Sequence, residues 1–225
     1  MATEHEYLPA MGHDWLLPLY GPMTRLLGVP AMHRRLVEQA QLRPGHVVLE
    51  IGTGPGDVAM LAKRTCPGAT VTGLDPDPRA LARARRKADR ASLAIQWDRG
   101  FAGELPYADD SVDRVLSSLM FHHLDEAEKE RAAREILRVL KPGGRLHLLD
   151  FAGGPQRPHG LFPRWAHRNE RMHSHTGDGI PERLREAGLS EIAEVEHRSM
   201  LGAKVTYFRA EKLAAASRPS TPAPR

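Results

Sequence analysis

Short apolar runs alternate with longer amphipathic stretches along most of this chain, and glycine or proline marks many of the changes. The apolar runs predict strands at Val47–Glu50, Thr70–Asp75, Leu93–Trp97, Val112–Ser118 and Arg145–Asp150. The amphipathic stretches predict helices that end near Lys63, that run from Pro78 to about Ala91, and that run from Glu126 to Leu140. Strands that alternate with helices indicate a parallel sheet wound by right-handed crossovers.

The pattern changes after residue 180. A helix predicted at Ile180–Ala187 is followed by two strand-like runs, about Ile192–Ser199 and Lys204–Arg209. Because only a short segment separates the two runs, they favour an antiparallel hairpin. The predicted fold class is therefore α/β, a Rossmann-like doubly wound sheet of seven strands with a C-terminal antiparallel hairpin.

Three further segments flank or interrupt the predicted sheet. Residues 1–43 are predicted to form a helical cap or lid. The main domain is predicted over residues 44–212, with a partly helical insert at 152–178 after the fifth strand. Residues 213–225 are rich in Ala, Ser, Pro and Thr and are predicted to be disordered.

Composition narrows the class of protein. The 225 residues include 41% hydrophobic and 27% charged residues, which is typical of a single globular domain. No apolar run approaches the roughly 20 residues that span a bilayer, and no secretory signal is recognised, so we expect a cytoplasmic protein. The single cysteine, Cys66, excludes an intramolecular disulfide. No metal site is expected, because His167, His173 and His175 of the insert lack the spacing of helical ligands.

The net charge of +4 is mildly basic, and much of it lies in the second predicted helix. Four arginines recur there at helical spacing and could contact phosphates: Arg79, Arg83, Arg86 and Arg90. No aromatic residues are interleaved with them as stacking platforms. A solvated helix face is therefore the preferred interpretation, and no stable nucleic-acid partner is expected.

A glycine-rich loop carries the strongest functional signal. The first strand ends in Glu50, passes through Gly52, Gly54 and Gly56, and continues into a helix. This strand–turn–helix arrangement is typical of nucleotide-type cofactor sites, where glycine lets a ligand approach the backbone closely. The second strand ends in Asp75, about 20 residues later, at the usual distance for a carboxylate that binds ribose.

Together with three further motifs, this loop resembles the class I S-adenosylmethionine-dependent methyltransferases. More narrowly, residues 43–210 resemble the small-molecule branch related to ubiquinone/menaquinone C-methyltransferases. The other motifs are an adenine-side loop at 100–107, a fourth strand at 111–115 and a turn at 140–144. The resemblance implies S-adenosylmethionine as cofactor and S-adenosylhomocysteine as product. It implies a cofactor site that contains Glu50, Gly52, Thr53, Gly54, Gly56, Asp75, Pro76, Gly100, Phe101, Ala102 and Ser117.

The chemistry of the loop agrees with this cofactor. Asp75 alone would also suit a nicotinamide dinucleotide, but a carboxylate at Glu50 is an awkward neighbour for a pyrophosphate. S-adenosylmethionine carries an ammonium group and no phosphate. One position departs from the family, since Phe101 stands where an acidic residue commonly accepts a hydrogen bond from adenine. Backbone groups near Ala102 are expected to compensate, or Asp98 if the register of the loop is shifted.

Three residues are candidates for the chemistry of methyl transfer. His122 and His123 follow the fourth strand at the edge of the sheet where such folds bind ligands, and imidazole can accept a proton near neutral pH. The resemblance also places an aromatic residue of the cap near the reacting centre, and Tyr20 is the candidate. A base is optional, since alignment of the reactants alone contributes about 7–11 kcal/mol.

Three functions remain open from the sequence. The first is methyl transfer to a small organic acceptor at a carbon, oxygen or nitrogen atom, by a monomer or homodimer. The second is a non-catalytic protein that binds S-adenosylmethionine or S-adenosylhomocysteine. The third is a nucleic-acid methyltransferase, which is disfavoured because Ser117–His123 lacks the Asn/Asp-Pro-Pro-aromatic loop of enzymes that grip a flipped base.

Overall fold

The computed structural model describes residues 28–151, 179–200 and 203–214. Seven strands form one sheet in the order β3-β2-β1-β4-β5-β7-β6. They are β1 (Val47–Ile51), β2 (Thr70–Asp75), β3 (Gln96–Arg99), β4 (Val112–Ser118), β5 (Leu140–Phe151), β6 (Ser190–Met200) and β7 (Ala203–Glu211). The helices are α1 (Val29–Gln39), α2 (Asp57–Thr65), α3 (Pro78–Arg90), α4 (Glu126–Val139) and α5 (Ile180–Glu186), with a 3-10 turn at Phe121–His123.

The first five strands are parallel, and β7 joins the sheet between β5 and β6 in the antiparallel direction. The central strand β1 is buried almost throughout, which is why its residues are apolar apart from the buried Glu50. The predicted fold class, including the C-terminal hairpin, is confirmed.

Helices cover the sheet on both faces and divide the core into two apolar clusters. One cluster joins α1, α2 and α3 to residues such as Leu116 and Tyr207, and the other joins α4 and α5 to residues such as Leu146 and Phe208. The helix α1 falls within the predicted cap, yet Leu36 and Val37 are buried in the first cluster. The rest of the cap, the insert and residues 215–225 lie outside the described residues.

The third and fifth strands begin furthest from their predicted starts. The third strand begins at Gln96 rather than Leu93, because the Leu93 N–H donates to the Ala88 carbonyl and so closes the end of α3. The fifth strand begins at Leu140, so the predicted turn at 140–144 is an irregularity within β5. Gly143 adopts a φ of 77° there, and the Lys212 carbonyl accepts its N–H at 2.7 Å.

Candidate active site

The predicted cofactor residues lie at the carboxyl ends of β1, β2, β3 and β4, which are neighbours in the sheet. The glycine loop leaves β1 and is tied to β2, because the Leu74 carbonyl accepts from the N–H groups of Gly52 and Thr53 at 2.9 and 3.0 Å. Open α/β sheets bind their ligands at this edge.

The three loop glycines all have positive φ, but they serve different purposes. A Cβ added at Gly56 would lie 2.5 Å from the Trp97 ring and 2.9 Å from the Ala84 side chain, and one at Gly52 would collide with Met120. A Cβ at Gly54 would meet no atom of the described residues within 4 Å. Gly52 and Gly56 therefore allow close packing, whereas Gly54 faces open space that a ligand can occupy.

The buried Glu50 side chain ties the glycine loop to the start of α2. Its side chain is 2% exposed, and its Oε2 accepts from Thr53 Oγ1 at 2.5 Å and from the Ala59 N–H at 2.7 Å. Burial raises the pKa of Glu50 to about 8, although these two hydrogen bonds oppose the shift. Burial therefore favours the neutral form of Glu50, and a nearby cation would favour the charged form.

Asp75 is already oriented toward the loop. Its Oδ2 accepts from the Gly54 N–H at 2.7 Å, and its Oδ1 accepts from the Asp77 N–H at 2.9 Å. Burial raises the pKa of Asp75 above its usual value, against these two bonds. Since each carboxylate oxygen has two lone pairs, both oxygens keep capacity for ribose hydroxyls.

The adenine-side loop begins beside Asp75, whose carbonyl accepts the Gly100 N–H at 3.3 Å. Phe101 is 48% exposed, and Ala102 is partly buried against the core. Asp98 pairs with Leu74 in the sheet register, and its Oδ2 accepts from Tyr107 Oη at 3.0 Å and from Gln96 Nε2 at 2.8 Å.

Three predicted cofactor residues form hydrogen bonds within the protein. The Ser117 hydroxyl is buried and donates to the Ile51 carbonyl at 3.0 Å, and the Thr53 hydroxyl is committed to Glu50. Pro76 is half-buried, and its carbonyl accepts from Arg99 Nε at 3.3 Å. Each of these hydroxyls already donates its hydrogen, so toward a cofactor it could only accept.

His122 and His123 stand beside the glycine loop, because Met120 two residues earlier packs against Gly52. The side chain of His122 is 21% exposed, whereas His123 is exposed, and their ring centroids are 3.9 Å apart. His122 Nδ1 lies 2.7 Å from Oδ1 of Asp150, the fully buried carboxylate near the end of β5.

Sequence reasoning missed Asp150. The signal was present, since it ends the predicted fifth strand just as Asp75 ends the second. Tyr20 lies outside the described residues, as do the histidines of the insert. Within the ranges that the structure describes, no group of three His, Cys, Asp or Glu side chains has the geometry to hold a metal ion. In those same ranges no helix has the length and apolar character needed to span a bilayer.

Comparison with known proteins places the site in context. Residues 48–144 match a family model described as a methyltransferase domain. Demethylmenaquinone methyltransferase of Thermus thermophilus is 38% identical over 152 residues, which cover 66% of this chain and 68% of that protein. A ubiquinone/menaquinone biosynthesis C-methyltransferase of Geotalea daltonii is 31% identical over 145 residues, or 62% of this chain and 61% of that protein.

Solved structures show the same fold at lower identity. YcgJ of Bacillus subtilis superposes with a TM-score of 0.64 at 20% identity, over 84% of this chain and 98% of that chain. Phosphoethanolamine N-methyltransferase 2 of Haemonchus contortus, solved with S-adenosylmethionine, gives a TM-score of 0.66 at 18% identity, over 81% of this chain and 52% of that chain.

The glycine loop, the oriented Asp75 and the open space at Gly54 fit an adenosyl ligand, in agreement with these relatives. The chain belongs to the class I S-adenosylmethionine-dependent methyltransferases and, within them, resembles the ubiquinone/menaquinone C-methyltransferases.

Proposed function

We propose that this methyltransferase acts on a small aromatic acceptor of the quinol type. The observation that carries the proposal is the 38% identity to a demethylmenaquinone methyltransferase over 152 residues. The proposed enzyme is a monomer or homodimer without a stable nucleic-acid partner.

Cofactor binding is proposed to use the residues that the sheet edge brings together. Asp75 accepts from the ribose hydroxyls, and the loop at Gly54 lets the ligand lie against the backbone. Phe101 and the backbone at Ala102 pack beside adenine. When bound, S-adenosylmethionine supplies a methyl group on positively charged sulfur.

The acceptor side is proposed to form between the histidine segment and the two segments in which the resemblance to the family is weakest, the cap and the insert. His122, with His123 and Tyr20 as further candidates, accepts a proton or orients the acceptor. The cap at 1–43 and the insert at 152–178 shape the acceptor pocket. Alignment and exclusion of water provide most of the rate enhancement.

A test of cofactor binding comes first. Titration calorimetry should show binding of S-adenosylmethionine and S-adenosylhomocysteine but not of NAD. Asp75→Ala should weaken both adenosyl ligands at least about tenfold, since a hydrogen bond to a charged group contributes about 1.5–3 kcal/mol. Asp77→Ala is the matched control, because it removes a nearby carboxylate, which accepts the Arg79 N–H and lies 3.9 Å from Arg83, but keeps the Asp77 N–H that donates to Asp75.

A test of turnover then separates the enzyme from a non-catalytic binding protein. Transfer of a labelled methyl group to 1,4-naphthohydroquinone, the reduced ring of a demethylmenaquinone, is the expected result. Binding of both adenosyl ligands without methylation of this or any related phenol would favour the non-catalytic function. Failure to bind either adenosyl ligand would refute the proposed cofactor site.

A further inference from the structure

Asp150 is a buried carboxylate whose hydrogen-bonding capacity is fully used. Its Oδ2 accepts from the N–H groups of Met120 and Phe121 at 3.1 and 2.7 Å. Its Oδ1 accepts from the Phe151 N–H at 2.8 Å and lies 2.7 Å from His122 Nδ1. A carboxylate offers about four lone pairs, so these four partners leave no position for a proton on Asp150.

This arrangement specifies the tautomer of His122. A carboxylate that carries no proton can only accept, so Nδ1 of His122 must carry the hydrogen. The lone pair of Nε2 is then left for another partner. The ring is held further by a T-shaped contact with the Phe151 ring at a centroid distance of 4.9 Å and by the His123 ring.

The backbone is strained at Leu119, directly before the segment that contacts Asp150. Leu119, which directly follows β4, has a φ of 53°, a conformation that costs a branched residue free energy. The Leu119 N–H donates to the Leu149 carbonyl at 2.7 Å, one residue before Asp150. Asp150 therefore fixes the segment that carries His122 to the end of β5.

We propose that Asp150 is a positioning residue that holds His122 with Nε2 free to take a proton from the methyl acceptor. The inference rests on the proposed function and narrows it to acceptors with an acidic O–H group, or a ring carbon activated by one. In the step, Nε2 gains the proton, the acceptor gains the methyl group, and the electron pair of the broken sulfur–carbon bond stays on sulfur. The imidazolium then releases its proton to solvent.

The tautomer can be measured without any acceptor. In long-range ¹⁵N–¹H spectra of the whole protein near neutral pH, we expect His122 with the hydrogen on Nδ1, assigned by loss of the signal in His122→Gln. In Asp150→Asn the amide NH₂ faces Nδ1, so the hydrogen should move to Nε2. A wild-type His122 with its hydrogen on Nε2 would overturn the proposal even if Asp150→Asn does not fold.

Turnover of 1,4-naphthohydroquinone tests the role in the reaction. His122→Gln should lower kcat by about 10²–10⁴ and leave the affinity for S-adenosylmethionine unchanged. It should also remove the limb of the pH–rate profile that belongs to the His122 imidazole, whose titratable neighbours are Asp150 and His123. A purely structural role of His122 would leave that profile unchanged. His197→Gln, which changes an exposed histidine on the edge strand β6, is the matched control and should retain kcat within a few fold.

The outcomes are distinguishable from failure of the proposed function. Unchanged kcat and pH profile in His122→Gln would overturn the assignment of the base while leaving the methyltransferase intact. If neither this hydroquinone nor catechol is methylated by a protein that binds S-adenosylmethionine, the proposed acceptor class is wrong. The measured tautomer of His122 still tests whether Asp150 positions that ring, because this measurement needs no acceptor.

Discussion

Replacing Gly54 by alanine should separate ligand binding from stability. Gly54 has a φ of 51°, and its added Cβ would meet no atom of the described residues within 4 Å. Gly56 offers a matched comparison, because its φ of 80° is also left-handed but its Cβ would press into Trp97 and Ala84. The two substitutions share the backbone penalty and differ in what the new methyl group contacts.

The magnitudes follow from these contacts. An alanine in the left-handed region costs about 1–2 kcal/mol, and overpacking at Gly56 adds about 1–3 kcal/mol. At about 2–4 °C per kcal/mol for a domain of this size, Gly54→Ala should lower the Tm by about 2–8 °C. Gly56→Ala should lower it by about 4–20 °C.

Cofactor affinity should follow the opposite order. The methyl group at Gly54 occupies space through which the ligand approaches the loop, so Kd for S-adenosylmethionine should rise at least about tenfold, or about 1.4 kcal/mol. Thermal melts by circular dichroism and titration calorimetry well below each Tm provide both numbers. Unchanged affinity in Gly54→Ala, or equal Tm values for the two variants, would refute the roles assigned to these glycines.

Three further predictions concern single side chains. Because burial raises the pKa of Glu50 to about 8, binding of the cationic cofactor at pH 7 should release a proton. The calorimetric binding enthalpy should then differ between buffers of different ionisation enthalpy, and Glu50→Gln should remove that difference. Phe101→Asp should tighten S-adenosylmethionine binding severalfold by supplying an acceptor for the adenine amino group, whereas Phe101→Leu should not. Burial, together with nearby arginines, lowers the pKa of His147 from 6.5 to about 3. Between pH 6.5 and 3 His147 is therefore protonated in the unfolded chain but neutral in the folded protein, and the free energy of unfolding falls as the pH falls. Between pH 7 and 5 His147 should account for about 2 kcal/mol of that loss, which denaturant unfolding of His147→Leu should no longer show.

Much of the sheet could be predicted from the sequence, because strand and helix periods are interrupted by clear turns. The third strand was misplaced because Leu93 and Ile95 are apolar for a different reason. Both pack against the core from the connection after α3, before pairing with β2 begins at Gln96. An apolar run reports burial, and burial does not require a strand.

The sequence predicts those site residues that belong to a recognisable short motif. The glycine loop and Asp75 each follow one strand in such a motif, and the structure joins the two motifs by a hydrogen bond from the Gly54 N–H to Asp75. Asp150 was missed because its partner His122 lies 28 positions away, and only the pairing of β4 with β5 reveals their contact. The inward direction of the Ser117 hydroxyl likewise depends on the neighbouring strand, whose Ile51 carbonyl accepts from it.

The order of the strands has a consequence for synthesis on the ribosome. β5 pairs with β7 from Arg145 to Phe151, and its partners in β7 are made about 55 to 65 residues later. Until residues 203–211 emerge, β5 presents an unpaired edge, and β6, although made earlier, has no strand to join. The nascent chain therefore carries the glycine loop and Asp75 well before the sheet around Asp150 is complete. Pausing of translation between β5 and β7 should leave an aggregation-prone intermediate whose first five strands are already made, and chaperones would have to protect its exposed edge.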